Sequence, residues 1–254
     1  ATDIAFAIGI LSLLGNRVPT SLKIFLTALA VIDDLGAIMV IAIFYTKSIS
    51  FYHLGIAMGI WVVLLILNRL KIRNLIPYLV GGFIMWYFMM QTGIHATITG
   101  VLVAFAIPFG NGDEKSTSYI LQDFLHYPVA FFILPLFALA NTCIPLGNHL
   151  IPSLLHANSI GIILGLVIGK PLGIVLFSLL GVGIGLCTLP SDLKWKNIIG
   201  AGFLGGIGFT MSIFITLLAF DDTEVIDHSK IAILVASLLA GCIGFFFLKF
   251  TLKK

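Results

Sequence analysis

The sequence predicts an all-α polytopic membrane protein, and three observations carry that prediction. Of 254 residues, 59% are hydrophobic and 10% charged, with a mean hydropathy of +1.14, whereas a soluble domain carries about 25% charged residues. Apolar runs recur that are long enough for a helix to cross about 30 Å of hydrocarbon. The basic residues gather on one side of the connections between those runs. The 14 Lys and Arg against 11 Asp and Glu leave a net charge of only +3, with no basic patch of the kind that binds nucleic acid. Cys143, Cys187 and Cys242 lie far apart without metal-ligand spacing and read as packing residues of apolar helices.

An apolar stub, Ile4 to Leu14, comes first, with Thr2 and Asp3 ahead of it as a hydroxyl and a carboxylate suited to capping a half-helix. Spans are then predicted at Leu22 to Tyr45, His53 to Asn68, Ile76 to Met90, Ile94 to Pro108, Tyr127 to Thr142, Ser159 to Gly185, Asn197 to Phe220 and Lys230 to Phe250, roughly eight and a half in all. Residues 1–254 read as a single transmembrane domain. Ala1 opens the sequence without an initiator Met, a charged leader or a cleavage site, so the chain reads as starting in mid-protein.

Alternating the connections from the stub puts Arg17, Arg69, Lys71, Arg73, Lys115, Lys194, Lys196, Lys249, Lys253 and Lys254 on one side, with Lys23 at a helix entrance there. The other side has Lys47 and Lys230. The positive-inside rule makes the first side, and the C-terminus, cytoplasmic. The acidic connection of Asp221, Asp222, Glu224 and Asp227 then faces outward, which the rule permits because acids contribute little to it.

Ionisable groups at the bilayer centre cost about 2.5 to 3.5 kcal/mol each on insertion scales, so they are rare unless they face a cavity and work there. Asp33 and Asp34 lie mid-span in Ala28 to Ala37, Lys170 lies mid-span in Gly165 to Gly173, and Asp3 heads the stub. Neighbours on a helix point about 100° apart, so one aspartate can face an aqueous cavity while the other faces a partner helix. Lys170 is the one basic residue at that depth, which makes an ion pair with either aspartate the cheapest way to keep both charges. Hard cations prefer oxygen ligands, and a carboxylate withdrawn from water also takes up a proton more readily. Cation and proton then compete for one site, which is the basis of an exchanger. The bland alternative is that such aspartates cap helices or satisfy internal hydrogen bonds.

The run Gly202 to Ser212 holds four glycines in seven residues, at Gly202, Gly205, Gly206 and Gly208, and predicts an interrupted helix. Close helix packing through small residues is the alternative use of those glycines. His95 opens a span, and His126 sits where the loop with Asp113, Glu114 and Asp123 enters the next one; either could change charge near neutral pH. His53, His149, His156 and His228 read as solvated loop or interface residues.

Taken together, Ala1 to Phe6, Ile32-Asp33-Asp34-Leu35-Gly36-Ala37, His95-Ala96-Thr97, Leu134-Pro135-Leu136-Phe137-Ala138, Gly169-Lys170-Pro171-Leu172-Gly173 and Gly206 to Ser212 resemble the NhaA-type Na⁺/H⁺ antiporters, in order along the whole chain. The resemblance implies a twelve-helix inverted-repeat fold in which interrupted helices four and eleven cross, with Ala1 inside helix four and roughly a third of a family member preceding it. It implies electrogenic export of Na⁺ or Li⁺ against protons for pH and sodium homeostasis, in the bacterial inner membrane, without a cofactor and as a homodimer. Asp34 would be the direct cation ligand, and Asp33 its neighbour paired with Lys170. Asp3 would compensate the facing helix ends at the crossing beside Thr2, Gly206, Gly208 and Thr210, and His95 and His126 would serve the pH response. Gln122 departs from the acid that the family's pH-sensing cluster has there; Asp123 is the neighbouring substitute.

Three rivals compete with that reading. An intramembrane aspartyl protease needs two carboxyls facing each other, whereas Asp33 and Asp34 diverge around one helix. A Na⁺-coupled organic-anion symporter needs more polar residues in its spans than these offer. A fragment with no transport of its own is the third.

Overall fold

The computed structural model describes residues 1–45, 49–110, 116–142 and 150–252. Lys47, Asp113, Glu114, Lys115, Cys143, His149, Lys253 and Lys254 lie outside the described residues. The described residues are mostly helical and form no strand. In order, the helices are α1 (Ile4–Ser12), α2 (Thr20–Phe44), α3 (Phe51–Arg69), α4 (Ile76–Gln91), α5 (Thr97–Ala106), α6 (Thr117–Pro128) and α7 (Leu134–Thr142). They continue with α8 (Leu150–Leu155), α9 (Ala157–Leu164), α10 (Lys170–Gly183), α11 (Trp195–Gly205), α12 (Phe209–Ala219) and α13 (Thr223–Thr251). Short π-helical turns, Val129–Ile133 and Gly165–Gly169, join α6 to α7 and α9 to α10 into continuous helices. Each π turn runs up to a proline, Pro135 or Pro171, within two residues of its end. Proline has no N–H, and its ring collides with the carbonyl four residues back. Widening that turn relieves the collision without cutting the helix.

Five helices among the described residues are long and apolar enough to cross a membrane, six if the bent pair α11–α12 is one span. Large apolar side chains such as Ile43 (72% exposed), Phe131 (76%) and Phe177 (76%) face outward, as a lipid-facing surface requires.

Several predicted boundaries are corrected. The span expected over Ile94 to Pro108 is only the ten-residue α5. Gly93, at φ 83°, turns the chain before it, and Ile107 is extended ahead of Pro108, as the residue before a proline prefers. The span expected from Tyr127 begins ten residues earlier, at Thr117, where Ser116 caps α6. Asp123 and His126 are therefore helical and not in a loop. At the far end, Asp222 accepts from the Glu224 N–H and starts α13 at Thr223. Glu224 and Asp227 are thus helical, and Lys230 is a buried residue two turns inside the helix. Cys187 lies in the segment after α10, not in a helix, and both Cys187 and Cys242 are exposed. His156 and His228 stack on each other with ring centroids 4.4 Å apart.

The helices fall into two compact units. Unit two, Ile38–Ala138, packs α3, α4 and α5 around Leu64, Tyr78, Ala106 and Ile107 and around Ala57, Met85 and Met89. The short α5 is tied to α3 by two side chains: the Trp61 indole N–H donates to Leu102 O (2.8 Å), and the Asn68 amide donates to Ala106 O (2.9 Å), the last carbonyl of the helix. Unit one, Ala1–Ala37 with Leu139–Lys254, is centred on Ala7, Leu11, Leu22, Leu26, Ala201, Leu204 and Leu248. Here α11 and α13 lie so close that a Cβ on Gly244 would sit 2.8 Å from the Leu204 side chain, the use of glycine expected where helices associate in lipid.

Candidate functional site

The site grows from three interruptions of regular structure inside unit one. Residues 1–3 enter α1 in a non-helical conformation, the π turn precedes Lys170, and Gly206 to Gly208 separate α11 from α12 with a 49° bend. The break predicted for the glycine run is therefore present. Glycine is needed at Gly206 for space and not for backbone freedom, since its φ is −71°. A Cβ there would run into the carbonyl oxygen of Leu166 in the π turn and stand 3.2 Å from the Ala240 Cβ.

Asp3 joins two helix starts. Its Oδ1 accepts the Phe6 N–H (3.1 Å) as N-cap of α1. Its Oδ2 accepts the Thr210 N–H (3.1 Å) and the Thr210 hydroxyl (2.6 Å) at the first turn of α12. The Asp3 N–H donates to Ile207 O at 2.7 Å. One carboxylate, 3% exposed, thus faces two helix N-termini, the partly positive ends where a negative charge is stabilised.

Thr2 and Lys170 connect that crossing to α2. The Lys170 ammonium lies 2.7 Å from Asp33 Oδ2 and donates to the Thr2 hydroxyl at 2.7 Å. Thr2 Oγ1 in turn stands 2.8 Å from Asp33 Oδ2 and 3.0 Å from Gly205 O, the last carbonyl of α11. Of the two aspartates, Asp33 is the one that Lys170 pairs. Such a pair, with side chains 17% and 29% exposed, keeps both charges at tolerable cost only because further hydrogen bonds complete it, and Thr2 supplies one to each.

Asp34, one position on along an unbroken α2, presents a different environment. Its Oδ1 is buried and has no hydrogen-bond partner among the described residues. An unpaired carboxylate oxygen away from water is costly unless it binds a proton or a cation, and oxygen is the donor that a hard cation takes.

Ser237 of α13 carries no motif, and sequence reading passes over it. Its Oγ accepts the N–H groups of Gly208 (3.2 Å) and Phe209 (3.1 Å) at the start of α12. His95, just before α5, and His126, in the last turn of α6 with its ring 5.5 Å from that of Tyr127, belong to unit two. The other residues singled out from the sequence, Thr2, Asp3, Asp33, Asp34, Lys170, Gly206, Gly208 and Thr210, all belong to unit one.

Residues 1–248 match the family model described as Na⁺/H⁺ antiporter 1. The chain belongs to that family. It is 71% identical over 252 residues to "Na(+)/H(+) antiporter NhaA 1" of Flavobacterium johnsoniae, covering 99% of this chain and 66% of the relative. It is 70% identical over 254 residues to "Na(+)/H(+) antiporter NhaA" of Flavobacterium psychrophilum and 64% identical over 254 to that of Cytophaga hutchinsonii, in both cases covering 100% of this chain and 66% of the relative. The chain thus spans 66% of the length of these curated relatives. Family membership and the long apolar helices together make this a multi-pass, all-α membrane protein of the Na⁺/H⁺ antiporter 1 family.

Proposed function

We propose that the protein is an electrogenic secondary transporter that exports Na⁺, and Li⁺, in exchange for protons. The single observation behind the reading is the contrast between the two adjacent aspartates. Asp33 is held by Lys170 and Thr2, while Asp34 Oδ1 is buried without a partner. Asp34 is the direct ligand of the transported cation, Asp33 the second carboxylate of the site, and protons compete for both. The relatives' names, which record Na⁺/H⁺ antiport for those proteins, support the same reading. The chemistry calls for neither cofactor nor covalent step, only access to Asp34 from one side of the membrane at a time.

Residues 1–254 act in this reading as one transport domain of a homodimer in a bacterial inner membrane, with the C-terminus in the cytoplasm. His95 and His126 adjust activity to pH. Everted vesicles lacking other antiporters, carrying the longest natural chain that contains this sequence, test the proposal. With a proton gradient imposed and a pH-sensitive dye, Na⁺ and Li⁺ but not K⁺ dissipate the gradient, and Asp34→Asn abolishes that response. A gradient indifferent to every cation overturns the proposal.

A further inference from the structure

The start of α12 is divided between two acceptors, and only one of them is charged. Asp3 takes the Thr210 N–H and hydroxyl, while the two preceding N–H groups, of Gly208 and Phe209, both converge on Ser237 Oγ. Ser237 is 7% exposed. It lies in the wall of a cavity of about 440 Å³ lined otherwise by apolar residues such as Phe6, Ile10, Ile207, Phe209 and Leu234. In such surroundings a backbone donor deprived of its acceptor finds little else to bind. The hydroxyl comes from α13, a helix that none of the charged residues of the site occupies.

We propose that Ser237 is a positioning residue of the transport site: its hydroxyl fixes the first turn of α12 against α13 and so holds the α11–α12 break in the geometry on which the Asp33–Asp34 site depends. The connection runs through named contacts. The Asp3 N–H is bonded to Ile207 O inside the break, and Gly205 O, at the break's other edge, meets the Thr2 hydroxyl that serves Asp33 and Lys170. Loss of the Ser237 hydroxyl leaves two N–H groups at a partly positive helix end without an acceptor, close to where Asp3 and Thr2 anchor the break. A loosened break and an uncompensated positive end both weaken cation binding more than they slow turnover.

This inference rests on the exchanger reading, and the experiment separates the two. Ser237→Ala and Ser237→Thr are made in the longest natural chain that contains this sequence, and two readouts are taken on each. In everted vesicles, Ser237→Ala raises the Na⁺ concentration for half-maximal exchange roughly tenfold, about the cost of one unsatisfied buried donor, with maximal rate kept within about threefold; Ser237→Thr, which retains an Oγ, stays within about twofold of the parent. By amide hydrogen exchange on purified protein, the peptide covering Gly208 and Phe209 loses protection in Ser237→Ala and keeps it in Ser237→Thr. Unchanged protection and an unchanged half-maximal Na⁺ concentration in Ser237→Ala overturn the inference, as does a loss of maximal rate that Ser237→Thr shares. If the unaltered protein exchanges no cation, it is the exchanger reading that fails, while the hydrogen-exchange arm still decides whether Ser237 holds the end of α12.

Discussion

The break between α11 and α12 and the π turn between α9 and α10 both interrupt a helix in mid-span, yet only the first parts the chain into two helices and exposes a new helix N-terminus. At the glycine break, the N–H groups that open α12 need acceptors from elsewhere, and Asp3 and Ser237 provide them. At the π turn the chain stays continuous, and the Lys170 N–H reaches one residue further back than in an α-helix, to Gly165 O. The charges follow the same division. The acid of the crossing faces helix ends, whereas Lys170, the first residue after the π turn, is free to reach across to Asp33 on α2. A broken helix makes a polar site out of backbone; a widened helix redirects a side chain.

The most damaging test of that contrast removes the acceptor at the break. Asp3→Ala strips partners from the Phe6 N–H, the Thr210 N–H and the Thr210 hydroxyl together. A lost N-cap costs about 1 kcal/mol and each of the two buried Thr210 donors left unpaired about 1–3 kcal/mol, so at least about 3 kcal/mol of stability should go, read as thermal unfolding in detergent micelles. A loss under about 1 kcal/mol would mean the ends are satisfied by other groups and the division is wrong.

Next in size is a pair of glycines of opposite sign. Gly206 sits where the two interruptions touch, with the Leu166 carbonyl in the way of any Cβ. Because the obstacle is backbone, it cannot swing aside, and Gly206→Ala should cost about 1–3 kcal/mol, the usual range for overpacking. Gly173, in α10 beyond the π turn, has nothing within 4 Å of its Cβ position. There Ala restores helix propensity, and Gly173→Ala should raise stability by about 0.5–1 kcal/mol. Equal effects of the two substitutions in the same melting assay would erase the distinction between a break that requires its glycine and a helix that tolerates one.

The two interruptions were not equally legible in the sequence. Four glycines between Gly202 and Gly208 lower helix propensity over a full turn, so the break could be read locally. Thr2-Asp3 ahead of an apolar run likewise reads as a cap, because capping chemistry lies within three residues of the helix start. The π turns escaped notice: Pro135 and Pro171 announce a disturbance, but whether a helix kinks, breaks or widens there depends on its neighbours. The pairing of Lys170 with Asp33 in preference to Asp34 is set by the rotation of α2 against α10, which lie more than a hundred residues apart in sequence, and no single-chain periodicity carries that. Ser237 was invisible for the same reason, as one serine among the apolar residues of α13. The helix ends at Thr117 and Thr223 were misplaced because polar caps lengthen a helix beyond its apolar run, and hydropathy sees only the run.

The smallest expected effect on stability is also the sharpest test of what the π turn is for. An Ala at position 171 supplies the N–H that proline lacks and removes the ring that presses on the carbonyl four residues back. The turn can then close to ordinary α-helical spacing, which takes one residue out of it and turns Lys170 by about 100° relative to one end of the helix. Two effects oppose each other: α-helical propensity rises, by up to about 3 kcal/mol for proline to alanine in a helix interior, while the Lys170–Asp33 contact at 2.7 Å is strained or lost. Pro171→Ala should therefore melt within about 1 kcal/mol of the parent, yet lose Na⁺-dependent proton exchange in vesicles. Unaltered exchange would show that Lys170 reaches Asp33 whatever the turn, and that only the glycine break is a functional interruption.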